Sequence, residues 1–184
     1  NQWQLLTQFK NVEVDSFQTT THNGYLFTLT ARRGIYRSGD GGTSWQPVNQ
    51  GLPNLRPGSL TSVGSKLFAC FDYGGIYVTT NNGENWERAN TGLRGDTTIL
   101  CLTVSGSTVF AGTSRGGIFR STDNGDSWIP KNTSLIVTPV KAITVRGTTI
   151  FAATQGEGIF RAQITDFAPT DVEEQPASPS SSLR

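Results

Sequence analysis

The sequence has no methionine, two cysteines, one histidine and only 16% charged residues in a length of 184. Without methionine, residue 1 is not a translational start; the expectation is a processed or excised chain, any signal peptide already gone. A lone histidine, His22, excludes a His-cluster metal site and argues against a Ser/His triad. Cys70 and Cys101 match no Cys-x-x-Cys or zinc spacing. They read first as two buried small hydrophobes, with a disulfide between neighbouring strands as the alternative. Fifteen Lys and Arg balance fourteen Asp and Glu, for a net charge of +1. No cationic surplus is available to replace phosphate counterions, so no nucleic-acid partner is expected. No apolar run approaches the ~18 residues of a membrane helix, so no membrane insertion is expected. Nothing calls for a cofactor or a metal.

What is abundant is glycine, and it recurs with a period. Gly34-Ile-Tyr-Arg, Gly75-Ile-Tyr-Val, Gly117-Ile-Phe-Arg and Gly158-Ile-Phe-Arg follow one another at nearly constant spacing. Leu26-Phe27-Thr28, Leu67-Phe68-Ala69, Val109-Phe110-Ala111 and Ile150-Phe151-Ala152 precede them in step. Trp45, Trp86 and Trp128 follow in phase, and Trp3 stands one repeat before Trp45. Short runs rich in β-branched and aromatic residues, ended by glycine turns, read as strands, and no stretch has a helical apolar period. A period of about 41 with four short strands per unit predicts an all-β fold, a β-propeller of antiparallel four-stranded blades. The predicted second strands are 108–113 and 149–154, and the fourth strands start at Trp45, Trp86 and Trp128.

The repeats lie near 12–45, 54–86, 96–128 and 137–164. The chain opens in the phase of a fourth strand, Trp3-Gln-Leu-Leu, and its last repeat stops after a third. Residues 1–11 are therefore expected to complete the last blade and hide the terminal edges. Two alternatives stay open for the propeller of 1–167: a small closed ring, or part of a larger one. Residues 168–184 hold three of the eight prolines and almost no apolar content, which predicts a linker or tail.

Between third and fourth strands stand Ser38-Gly-Asp40-Gly-Gly42-Thr-Ser44-Trp45 and Ser121-Thr-Asp123-Asn-Gly125-Asp-Ser127-Trp128, with Thr79-Thr-Asn81-Asn-Gly83-Glu-Asn85-Trp86 as a weaker copy. The fourth repeat has lost the motif. These segments resemble the Asp-box of BNR-repeat propellers. The chemistry is that of a hairpin turn: the carboxylate accepts backbone N–H groups, glycine takes the left-handed position, and tryptophan covers the hairpin. The resemblance implies a structural role for Ser38, Asp40, Gly42, Trp45, Asn81, Gly83, Trp86, Ser121, Asp123, Gly125 and Trp128, on the rim away from the ligand face. Asp123-Asn-Gly125-Asp126 lacks the bidentate glutamate of a calcium loop.

Proteins of this resemblance include sialidases, xyloglucan hydrolases, sortilin-like receptors and photosystem assembly factors, so no single activity carries over. The arginine triad of a sialidase cannot be placed, and xyloglucan hydrolases use two larger propellers. The Pro/Ser/Glu tail resembles the linkers of Bacteroidetes proteins exported by type IX secretion, which implies a secreted or cell-surface chain. Asn132-Thr-Ser134 is a glycosylation sequon, and Asp96-Thr97-Thr98 resembles a Bacteroidetes O-glycosylation site.

Connections between second and third strands should gather on one face with the blade-to-blade connections, opposite the box turns. That face collects Arg32, Arg33, Asp72, Tyr73, Arg115, Gln155 and Glu157, which differ between repeats on a constant framework. Mixed Arg, Asp, Glu and Tyr suit a glycan or a protein partner; solvated loop tips are the plain alternative. Asp72 and Glu157 are the one candidate pair for glycosidase carboxylates. The expectation is a secreted, non-catalytic binding or extracellular assembly module with no catalytic residues. A glycoside hydrolase, sialidase-like or xyloglucanase-like, or a piece of one, is the alternative.

Overall fold

The structure is a computed structural model that describes residues 18–93, 98–115, 117–131 and 138–167. Each repeat folds as an antiparallel meander, called here blades 1 to 4. Blade 1 is β1 (Gln18–His22), β2 (Tyr25–Thr30), β3 (Gly34–Ser38) and β4 (Gln46–Pro47). Blade 2 is β5 (Pro57–Val63), β6 (Lys66–Phe71), β7 (Gly75–Thr79) and β8 (Glu87–Arg88). Blade 3 is β9 (Ile99–Ser105), β10 (Thr108–Thr113), β11 (Ile118–Ser121) and β12 (Ile129–Pro130). Blade 4 has three described strands, β13 (Val140–Arg146), β14 (Thr149–Thr154) and β15 (Gly158–Gln163), then a 3-10 turn at Ile164–Phe167.

The expected second strands coincide with β10 and β14, and the only described helical residues are that 3-10 turn. The fourth strands begin one position past each tryptophan and are very short. Several expectations lie outside the described residues: the strand from 1–11, the tail 168–184, the sequon 132–134, and Asp96 and Thr97 of the second acceptor pattern.

The first strands line one another along the inner side: β1 packs beside β5, β5 beside β9, and β9 beside β13. The core lies between blades, because each sheet is apolar on both faces. Phe27, Leu29, Ile35 and Val48 of blade 1 pack against Leu60, Leu67, Ala69, Phe71 and Trp86 of blade 2. Phe68, Cys70 and Ile76 of blade 2 meet Ile99, Val109, Ala111, Phe119 and Trp128 of blade 3. Phe110 and Ile118 of blade 3 meet Val140, Ile143, Ile150 and Ala152 of blade 4. Each fully buried Phe or Ile contributes about 1.5–3 kcal/mol.

Both cysteines are free thiols, Cys70 buried and Cys101 half-buried. Burial raises both, Cys101 to about 11, so both thiols stay protonated; Cys70 fits the reading as a buried small hydrophobe, and Cys101 is only partly buried. His22 ends β1 and is buried, its Nδ1 2.7 Å from Ser62 Oγ of blade 2.

Candidate functional site

Turns and connections separate to opposite ends of the blades, and the two ends differ chemically. At one end are the three Ser/Thr-x-Asp/Asn-x-Gly turns. Asp40 accepts from the Ser38 hydroxyl at 2.8 Å, from the Ser44 amide at 2.9 Å and from the Ser44 hydroxyl at 2.6 Å. Asp123 accepts from the Ser121 hydroxyl at 2.7 Å, from the Ser127 amide at 2.9 Å and from the Ser127 hydroxyl. Asn81 accepts from Thr79 Oγ1 at 2.8 Å and from the Asn85 amide at 3.0 Å. The bonds from Ser44 and Ser38 hold Asp40 down at about 2. At Asp123 partial burial opposes, and the bonds from Ser127 and Ser121 still bring it to about 2. A carboxylate so engaged in its own turn is a poor proton donor and a poor metal ligand.

These turns also reach back across the blade boundary. Gly83 and Gly125 have φ of +85° and +84°. A Cβ on Gly83 would crowd Val48 and Phe27, and one on Gly125 would strike the Phe68 ring. Arg37 of blade 1 donates to Asn82 O at 2.8 Å, and Lys66 of blade 2 pairs with Asp126 at 2.6 Å. Sequence alone assigned the glycine its left-handed conformation. That it also seats the preceding blade's phenylalanine was not legible there.

At the opposite end lies a polar cleft of about 380 Å³, to which all four blades contribute. Ala31 and Arg32 come from blade 1, Arg56, Pro57, Gly58 and Asp72 from blade 2, Leu100 from blade 3 and Lys141 from blade 4. A repeated backbone device shapes it. The first strand of blades 2, 3 and 4 slips register by one position at its start, between Pro57 and Ser59, beside Cys101 opposite Gly112/Thr113, and between Val140 and Ala142. The extra residues are Gly58, Leu100 and Lys141, each one repeat after the last, and all three line the cleft. A bulge bends a strand and re-aims one side chain, which is how a strand running along the core presents a lysine to solvent.

Of the residues expected on this face, Arg32 and Asp72 line the cleft. Arg33, Tyr73, Arg115, Gln155 and Glu157 do not, although Tyr73 stands beside Asp72 and is 86% exposed. The candidate carboxylate pair is therefore not brought into this cleft: Asp72 is in it and Glu157, on the β14–β15 turn, is outside. Arg56 and Lys141 were missed. The available signal was the repeat phase of Gly58, Leu100 and Lys141, where a lysine interrupts an otherwise apolar strand start. Among the described residues, no cluster of three or more His, Cys, Asp or Glu could hold a metal ion.

No family model and no curated protein matches the chain. Solved structures do. The chain superposes on the GH74 xyloglucanase of Xanthomonas campestris with a TM-score of 0.61 and 21% identity, over 82% of this chain and 27% of that one. On the extracellular domain of BT3049 from B. thetaiotaomicron the TM-score is 0.64 at 18% identity, over 80% and 20% of the two chains. On YCF48 from Cyanidioschyzon merolae it is 0.58 at 15% identity, over 80% and 50%. The fold is a β-propeller of four-stranded blades. The chain spans between a fifth and a half of the length of these structures, and at such identities the likeness is one of fold. In the propeller, the end of the blades that carries the cleft is built from connections, and the opposite end from self-satisfied turns.

Proposed function

We propose that the chain is an extracellular, non-catalytic binding module whose cleft takes an anionic group, a carboxylate or sulfate, of a glycan or of a protein partner. The observation that carries this reading is the composition of the cleft's described lining: Arg32, Arg56 and Lys141 around Asp72, the one carboxylate among those residues. Three cations drawn from three blades give the cleft a positive potential although the chain as a whole is almost neutral. The exposed ring of Tyr73 beside Asp72 adds an apolar face on which a sugar ring or an aliphatic side chain can lie. The extracellular setting is supported by the likeness to an extracellular domain. Most glycoside hydrolases place two carboxyl groups about 5–10 Å apart across the bond they cut. Among the described residues the cleft supplies one, which favours binding over turnover.

Calorimetric titration with uronate- or sulfate-bearing oligosaccharides, with their neutral counterparts and with acidic peptides distinguishes the ligand sources. The expected result is salt-sensitive binding of one acidic class, weakened about tenfold by Lys141→Ala or Arg56→Ala, a loss typical of one charged hydrogen bond. Equal binding of neutral and acidic ligands would overturn the anion reading. Glycoside turnover abolished by Asp72→Asn or Glu157→Gln would overturn the non-catalytic one.

A further inference from the structure

Asn-Gly occurs three times in the chain, at Asn23-Gly24, Asn82-Gly83 and Asn124-Gly125. These three asparagines are also the non-glycine residues with positive φ among the described residues, at +48°, +56° and +55°. Asn-Gly is the dipeptide in which a backbone amide most readily attacks the side chain before it, because glycine has no Cβ to shield its nitrogen. The reaction makes one geometric demand. The peptide plane between the two residues must turn until the glycine nitrogen reaches Asn Cγ, which hydrogen bonds to its N–H and C=O oppose.

In two of the three pairs both groups are held. Gly83 N–H donates to Thr79 Oγ1 at 2.9 Å, and Asn82 O accepts from Arg37 of blade 1 at 2.8 Å. Gly125 N–H donates to Ser121 Oγ at 2.7 Å, and Asn124 O accepts from Lys66 of blade 2 at 3.2 Å. Both glycines are buried against the preceding blade, so neither plane turns without loosening a blade boundary.

The third pair is built differently. Asn23 and Gly24 form the exposed tip of the β1–β2 hairpin, closed by the pairing of His22 with Tyr25. Among the described residues nothing accepts from Gly24 N–H, nothing donates to Asn23 O, and nothing crowds Gly24. Only the side chain is engaged, Asn23 Nδ2 donating to Asn82 Oδ1 at 3.0 Å and to His22 Nε2 at 3.2 Å. Water can replace such bonds at a net cost of about 1 kcal/mol each. Blades 2 to 4 have glycine at this position, Gly64, Gly106 and Gly147, so among the four hairpins blade 1 alone carries a reactive amide there.

We propose that Asn23 is a site of spontaneous covalent modification in the folded protein, and that the blade boundaries protect Asn82 and Asn124 from the same reaction. A solvent base takes the Gly24 amide proton, the nitrogen bonds to Asn23 Cγ, and the Cγ–Nδ2 bond breaks. The departing nitrogen takes a proton from water and leaves as ammonia, and a succinimide ring remains. A second water opens the ring at either carbonyl, giving aspartate or isoaspartate at position 23. Either product puts a carboxylate where an amide had donated to His22 and Asn82, and isoaspartate adds a methylene to the main chain of a two-residue turn. Both changes fall on the boundary of blades 1 and 2. Nothing in the proposal depends on what the cleft binds.

Peptide mapping by mass spectrometry tests this on the intact chain aged in mildly alkaline buffer, beside a sample aged in urea. In the folded chain, conversion at Asn23 should run at least about tenfold faster than at Asn82 or Asn124, since each protected plane must first lose two hydrogen bonds. In urea, where no plane is held, the three pairs should convert at similar rates. Labelling of the aged folded chain by an isoaspartyl methyltransferase should fall on the peptide that holds residue 23. Conversion at Asn82 or Asn124 as fast as at Asn23 in the folded chain would overturn the proposal. So would an Asn23 that stays intact in the folded chain while the urea sample converts. The same order of rates persisting in urea would overturn the structural cause.

Discussion

The indole N–H of Trp128 donates to the backbone carbonyl of Ala89, 2.9 Å away and one blade earlier. Trp86 does the same to Val48 at 2.8 Å. The backbone amides of these tryptophans are bound across the same boundary, Trp86 N–H to Gln50 O and Trp128 N–H to Thr91 O, both at 2.9 Å. One residue thus holds two blades through both main chain and side chain. Such bonds are the polar counterpart of the apolar faces, and they fix the register of one blade on the next.

Trp128→Phe keeps most of the apolar ring but leaves the Ala89 carbonyl without its donor. The expected cost is about 2 kcal/mol, combining an unpaired buried acceptor with a small cavity. Urea unfolding should show a lower midpoint with an unchanged slope. An unaltered midpoint would mean that the blade boundary does not depend on the indole.

Gly125→Ala should be more damaging than an alanine at a solvent-exposed turn glycine such as Gly106. Both residues have positive φ, +84° and +59°, but only Gly125 faces an aromatic ring, that of Phe68; nothing lies near Gly106. Backbone strain alone costs about 1 kcal/mol, and forced movement of a packed ring adds about 1–3 kcal/mol. Thermal melts of the two variants should separate by several degrees, with Gly125→Ala the lower.

Acid should destabilise the fold in two windows. His22 is lowered from its ordinary 6.5, burial outweighing the bond to the Ser65 backbone, so its neutral form favours the folded state. That stabilisation is complete above 6.5 and declines as pH falls through the lowered folded value. Asp40 and Asp123 are held at about 2 against 3.8, so their contribution is complete above about pH 4 and disappears as pH falls toward 2. His22→Asn should flatten the first part of a stability-versus-pH curve, and Asp40→Asn with Asp123→Asn the second. The native Asn81 turn keeps the hydroxyl bond from Thr79 and the amide bond from Asn85 without a titrating group, so these substitutions should fold. A curve unchanged by either set would disprove the assignment.

The repeat was legible because each blade solves the same packing problem. The phase of Gly34, Gly75, Gly117 and Gly158 marks the third strands directly, and the tryptophan phase marks where the fourth strands begin. The carboxylates of Asp40 and Asp123 were recognisable as turn acceptors because their donors, Ser38 and Ser44, Ser121 and Ser127, stand two positions before and four after. The site was legible only in part. Arg32 and Asp72 follow from loop position, but Arg56 enters from the residue just before β5 and Lys141 from the bulge in β13, and Glu157 does not reach the cleft.

By itself, then, the sequence determined what is local: strands, turns, the period at which they recur, and the end of each blade at which connections gather. Those features depend on backbone conformation and on hydrogen bonds spanning a short stretch of chain, which neighbouring side chains dictate. Only the tertiary structure decided which charges share a cleft, why Gly125 lies against Phe68, and that Ile159 is exposed where its three counterparts are buried. These depend on how one blade is stacked and rotated on the next, and that relation sums small local twists and bulges over positions a whole repeat apart in the chain.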